Sequence, residues 1–124
     1  MPVYNEVNTV LIVLNKLINL NLYNNFSKEI IVIDDNSTDG TKELLKSFEK
    51  ENLNNNFKFI YKVKNSGKGN SQKIAIPLCD GDFTIIQDAD LEYNINNINT
   101  ILELMVNNNH DAVLGFRKLN KTKI

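Results

Sequence analysis

The chain has 124 residues, which fits one domain or part of one, and its 42% hydrophobic content is enough to build a core. A net charge of −1 lacks the basic face that nucleic-acid binding needs, so no nucleic-acid partner is expected. The one cysteine, Cys79, excludes an internal disulfide and fits a reducing, cytoplasmic compartment, no run approaches the roughly 18–20 apolar residues that span a bilayer, and no signal peptide precedes the first motif.

Met1-Pro2-Val3-Tyr4 reads as the end of a strand. Val7, Val10, Leu11, Leu14, Leu17 and Ile18 recur at helical spacing, which predicts an amphipathic helix over roughly 6–20. Glu29-Ile30-Ile31-Val32-Ile33 is a β-branched strand, closed by the turn Asp34-Asp35-Asn36-Ser37-Thr38-Asp39-Gly40. A helix follows near 41–51, with Leu44, Leu45 and Phe48 inward, and Asn52 to Asn56 break it. Phe57-Lys58-Phe59-Ile60-Tyr61 is the next strand, and Gly67-Lys68-Gly69 opens a helix that Pro77 should kink or end. The apolar run 83–87 reads as a buried strand covered on both faces. Ile95, Ile98, Ile101, Leu102 and Met105 mark a further helix, and Asp111-Ala112-Val113-Leu114-Gly115 a last strand. The frequent Asn falls mostly where turns are expected, since Asn tolerates left-handed backbone.

Alternating helices and strands imply an α/β fold: a mostly parallel sheet with right-handed crossovers and helices on both faces, in three layers. No repeat or linker divides it, so a single domain is expected. Both ends read as cut, because the first strand lacks its apolar body and the tail from Lys118 leads into no element.

Acidic residues gather where the predicted strands end: Glu6, Asp34-Asp35, and Asp88-Ala89-Asp90-Leu91-Glu92. In a parallel sheet these ends share one edge, where open α/β folds bind ligands. Two unit charges 4 Å apart cost roughly 4 kcal/mol at an effective dielectric of about 20. A cation or a ligand's donors would relieve that repulsion. Mg²⁺ uses one or two carboxylates and completes its shell with water and phosphate oxygens, so phosphate, metal and sugar chemistry is the expectation. Asp39 is expected only to fill a turn and cap a helix, Cys79 to be a small core residue, and His110 to lie in a solvated turn.

These motifs resemble those of the family 2 glycosyltransferases of the GT-A fold. Pro2-Val3-Tyr4-Asn5-Glu6 is similar to their opening segment, and Ile31 to Thr41 to their second motif. Asn65-Ser66-Gly67-Lys68-Gly69 is similar to their Asn-x-Gly-Lys-Gly segment. Gln87-Asp88-Ala89-Asp90-Leu91-Glu92-Tyr93 resembles the signature around polyprenyl-phosphate sugar synthases of the dolichyl-phosphate mannosyltransferase type, and Gly115-Phe116-Arg117 their Gly-Ser-Arg stop. The likeness runs over nearly the whole chain. It departs at Asn94-Ile95, where the family has Asp-Pro, at Asn70 and Ser71, where it has small residues, and at Pro77, where its helix continues.

The resemblance implies that Pro2, Tyr4 and Glu6 line a nucleotide base pocket, with Ile33 packing near Asp35, which accepts a hydrogen bond from the base. Lys68 would meet an anionic group, Asp88 and the Ala89 backbone the ribose or the metal shell, and Arg117 the donor's phosphates. Asp90 and Glu92 would take Mg²⁺ or Mn²⁺. The implied reaction moves a hexose from a GDP-mannose or UDP-glucose type donor, with inversion, to an acceptor such as a polyprenyl phosphate at the cytoplasmic face of a membrane. No catalytic base is assigned, because the family's acceptor half lies beyond the Gly-x-Arg segment. Two other readings are a non-catalytic nucleotide-binding remnant and a phospho-receiver domain. For the second, Asp34, Asp35 and Asp88 supply the acids, but no lysine ends the last strand.

Overall fold

The computed structural model describes residues 1–115. Its sheet has three parallel strands in the order β1 (Pro2–Val3), β2 (Ile30–Asp34), β3 (Phe57–Tyr61). Four α-helices accompany them among the described residues: α1 (Val10–Asn19), α2 (Thr41–Glu51), α3 (Lys68–Ala75) and α4 (Asn97–Asn108). A 3₁₀ turn at Tyr23–Asn25 follows α1, and another at Ile76–Leu78 carries Pro77 and ends α3. Proline cannot donate the amide that a further helical turn requires. Helix α1 begins at Val10 because the Glu6 carbonyl accepts the amides of Thr9 and Val10, so 6–9 form its entry turn.

β2 is the central strand, and Ile31 to Asp34 are all buried, as expected of a parallel strand covered on both faces. Val32 packs with Val10 and Leu14 of α1 and with Leu45 and Phe48 of α2. Successive residues of a strand face opposite sides, so Ile33, fully buried, serves the other face. Helix α3 lies against β1 and β2. The Phe48 ring meets Phe57 and Phe59 of β3 edge-on, at centroid distances of 5.6 and 6.4 Å. Ile95, at the approach to α4, is buried with Val13 and Leu17, while the Asn99 side chain joins α4 to the Asn21 carbonyl and the Tyr23 amide.

Two expected strands do not form. Segment 83–87 pairs with no ladder, and Phe83, Ile85 and Ile86 are 43%, 44% and 53% exposed. Residues 111–115 are likewise unpaired, with Leu114 79% exposed. Apolar, β-branched composition favours a strand locally, but a ladder needs a neighbouring edge. The edge beside β1 is two residues long, too short to template the run. What anchors the segment is its far end: Ala89 is buried against the core of Val3, Val10 and Leu14.

Candidate functional site

All three strands run in one direction, so the loops after them share one edge of the sheet. Two of these loops are stitched together through side chains. The amides of Asn5, Glu6 and Val7 donate to Ser37 Oγ (3.0 Å), Thr41 Oγ1 (2.9 Å) and Asp39 Oδ2 (3.3 Å). The Thr38 amide returns a bond to Asn5 Oδ1 at 2.8 Å. Asp39 Oδ1 also accepts the Thr41 amide and hydroxyl, at 3.0 and 2.5 Å. The turn therefore does more than start α2: it fixes the path of residues 4–7. Asn5 and Asn36 hold left-handed backbone at φ 51° and 60°.

Above this edge opens a cavity of about 190 Å³, lined by Pro2, Val3, Tyr4, Glu6, Asp35, Lys68, Ser71, Asp88, Ala89 and Asp90. Of the residues singled out from the sequence, Pro2, Tyr4, Glu6, Asp35, Lys68, Asp88, Ala89 and Asp90 thus meet in one place. Ile33 does not line the cavity and lies wholly within the sheet's core. Arg117 lies outside the described residues. Segment 88–90 reaches the cavity without being the tip of a paired strand.

Each lining side chain has a local reason for its position. Tyr4 is 47% exposed, so its ring is offered to the cavity rather than spent in the core. Glu6 Oε2 accepts the Thr9 hydroxyl at 2.8 Å, which holds it at the entry to α1. Asp35 is buried, and accepts Lys62 Nζ (2.5 Å) and the Ser66 amide (2.9 Å) on Oδ1, and the Gly67 amide (2.8 Å) on Oδ2. Burial pushes its carboxyl up, but the Lys62 hydrogen bond and the two amides outweigh that, and its pKa lies below the usual carboxylate range. Gly67 is at φ 86°, a conformation that a side chain disfavours, and it turns the chain into α3. The next residue, Lys68, reaches Asp88 Oδ1 at 2.5 Å. Ser71, fully buried, donates to the Gly67 carbonyl at 3.3 Å.

Part of the acidic crowding is relieved within the protein. Asp34 accepts the Ser37 amide and lies 3.8 Å from Lys42 Nζ, Asp35 has Lys62, and Asp88 has Lys68. The protein's own cations and amides offset part of this charge. No group of three metal-ligating side chains occurs among the described residues. Asp90 Oδ1 accepts the Glu92 amide at 3.0 Å, and Glu92 does not line the cavity. What remains, Asp88 and Asp90 in one cavity, still suits Mg²⁺ or Mn²⁺, which needs only one or two carboxylates when phosphate completes the shell.

Sequence reasoning missed Val3, Ser71 and Lys62. Lys62 was detectable in principle: it is the first residue beyond β3, and so falls beside Asp35 once β2 and β3 are neighbours. Cys79 is half-buried and His110 exposed, and neither lines the cavity.

The profile of the family described as "Glycosyl transferase family 2" matches residues 1–124. The chain belongs to glycosyl transferase family 2. Among curated members it is similar to a dolichyl-phosphate beta-glucosyltransferase of Dictyostelium discoideum, at 32% identity over 64% of this chain and 24% of that protein. It is 30% identical to an uncharacterized protein of Methanocaldococcus jannaschii, over 95% of this chain and 50% of the other. A poly-beta-1,6-N-acetyl-D-glucosamine synthase of Staphylococcus epidermidis is 36% identical over 70% of this chain and 20% of its own length. The chain thus spans half or less of the length of these relatives. No solved structure matches it. The α/β architecture with a parallel sheet accords with part of a GT-A domain. No helix among the described residues is long and apolar enough to cross a membrane.

Proposed function

We propose that residues 1–124 are the donor-binding part of a single family 2 glycosyltransferase domain, which binds a nucleotide diphosphate sugar of the GDP-mannose or UDP-glucose type. One observation carries this reading: side chains from four separate motifs line a single cavity at the carboxyl edge of the sheet. The Tyr4 ring and Pro2 offer a face for the nucleobase, and Asp35 an acceptor for its ring N–H or amine. Lys68 neutralises phosphate charge, Asp88 and Ala89 meet the ribose or the metal shell, and Arg117 meets the phosphates. The cavity is smaller than the roughly 300–1,000 Å³ of enclosed ligand sites, so the sugar would extend past its mouth.

Asp90, with Asp88 or Glu92 beside it, would hold Mg²⁺ or Mn²⁺, which supplies charge neutralisation on the departing diphosphate. In the reaction an acceptor oxygen bonds to the anomeric carbon from the side opposite the diphosphate. The bond from that carbon to the diphosphate oxygen breaks, and the nucleoside diphosphate leaves with the electron pair. A phosphate acceptor is already anionic and has no proton to lose at the attacking oxygen. The likeness to a dolichyl-phosphate glucosyltransferase supports a polyprenyl phosphate in that role.

Calorimetric titration with UDP and with GDP, each with and without Mn²⁺, tests the proposal. Metal-dependent binding of at least one is expected, and no heat from a folded sample with either would overturn it.

A further inference from the structure

Lys62 is the first residue past β3, and Asp35 the first past β2. Asp34 and Tyr61 are ladder partners, and the Lys62 amide donates to the Asp34 carbonyl at 2.9 Å. This register brings Lys62 and Asp35 side by side at the carboxyl edge. Their side chains are only 8% and 5% exposed, and Lys62 Nζ is 2.5 Å from Asp35 Oδ1. Asp35 lines the cavity, whereas Lys62 stands behind it. With the Ser66 and Gly67 amides, three donors from one loop converge on a single carboxylate.

An ionised carboxylate offers about four lone-pair positions. The loop occupies two on Oδ1 and one on Oδ2, which leaves one on Oδ2 for a donor arriving from a ligand. The same bonds fix the turn at Gly67 from which Lys68 departs. A loop held before the ligand arrives need not be ordered at the moment of binding, and the saving appears as affinity.

We propose that Lys62 is a positioning residue of the nucleotide-sugar site: it acts through Asp35, holding that carboxylate in place with one acceptor position left for the nucleobase, and tying down the loop that presents Lys68. This rests on the nucleotide-sugar reading of the cavity. Lys62 touches no ligand itself. Its removal frees the Asp35 carboxylate to rotate and loosens the 62–67 loop, so the base end and the phosphate end weaken together.

The test is a double-mutant cycle on nucleotide affinity, measured by calorimetry with UDP and GDP in Mn²⁺ under conditions where every sample is folded. Lys62→Met and Asp35→Asn should each weaken binding about tenfold or more, and the double variant should be little weaker than either. Wild-type affinity in Lys62→Met, or losses that simply add, would overturn the inference and leave the nucleotide reading standing. A merely structural lysine would lower the unfolding midpoint without moving affinity. No binding by folded wild type would take both down. Hydrogen exchange on nucleotide-free wild type gives a check that needs no variant: the Ser66 and Gly67 amides should already be protected, and fast exchange there would refute a preset loop.

Discussion

Asp35 shows how one buried carboxylate can link folding to a site. Its pKa is lower in the folded protein than the ordinary value of about 3.9, so the unfolded chain binds its proton more readily. Its contribution to stability is therefore complete above about pH 4–5 and is lost as pH falls through the folded value. Urea midpoints taken from pH 7 downward should fall in wild type over that acid range. In Asp35→Asn this component should be missing, and stability at pH 7 should be lower by about 1–3 kcal/mol, since Lys62 loses its partner. Leu91 illustrates strain at the same site. It sits at φ 63°, next to Asp90, and apart from the glycines it is the one positive-φ residue among those described that is not Asn. Left-handed backbone costs a bulky residue roughly 1–2 kcal/mol, and Asn tolerates it better. Leu91→Asn should therefore raise the thermal midpoint, by up to about 1 kcal/mol in stability; a lower midpoint would mean that Leu91 packing outweighs the strain.

The loops after β1 and β2 behave as one unit because their bonds are reciprocal. Thr41 is the hinge of that unit: its Oγ1 accepts the Glu6 amide and donates to Asp39. Being fully buried, it cannot exchange these partners for water. Thr41→Val keeps the shape and removes both bonds, so a loss of about 1–3 kcal/mol is expected in urea unfolding. The Tyr4 and Glu6 region should also lose amide protection. Unchanged protection there would show that the first loop holds its path without the second. The failed strand at 83–87 teaches the complementary point. Its apolar residues satisfy the local rule for a strand, yet pairing is decided by what lies alongside.

Across the whole molecule, the cavity joins residues as far apart in the chain as Pro2 and Asp90, so occupying it should stabilise the fold that brings them together. A nucleotide present at 100 times its dissociation constant adds about 2.7 kcal/mol to stability. Thermal unfolding with UDP or GDP and Mn²⁺ should therefore shift upward, and EDTA should reverse much of that shift. Asp90→Asn should reduce the metal-dependent part while leaving the ligand-free midpoint nearly unchanged. A shift equally large in EDTA would argue against an ion at Asp90.

Helices α2 and α3, strands β2 and β3, the Asn turns and most of the cavity's wall were legible in the amino-acid order, because periodicity, caps and Gly-Asp-Asn turns act over a few residues. Those short-range signals, read with a parallel sheet, also place Glu6 and Asp35 on one edge. The long-range pairings were not legible. Whether 83–87 joins the sheet, that Asp88 meets Lys68, and that Lys62 backs Asp35 depend on contacts between residues far apart in the chain. Such contacts form only where packing brings an edge or a counter-charge within reach, and no local pattern encodes that distance.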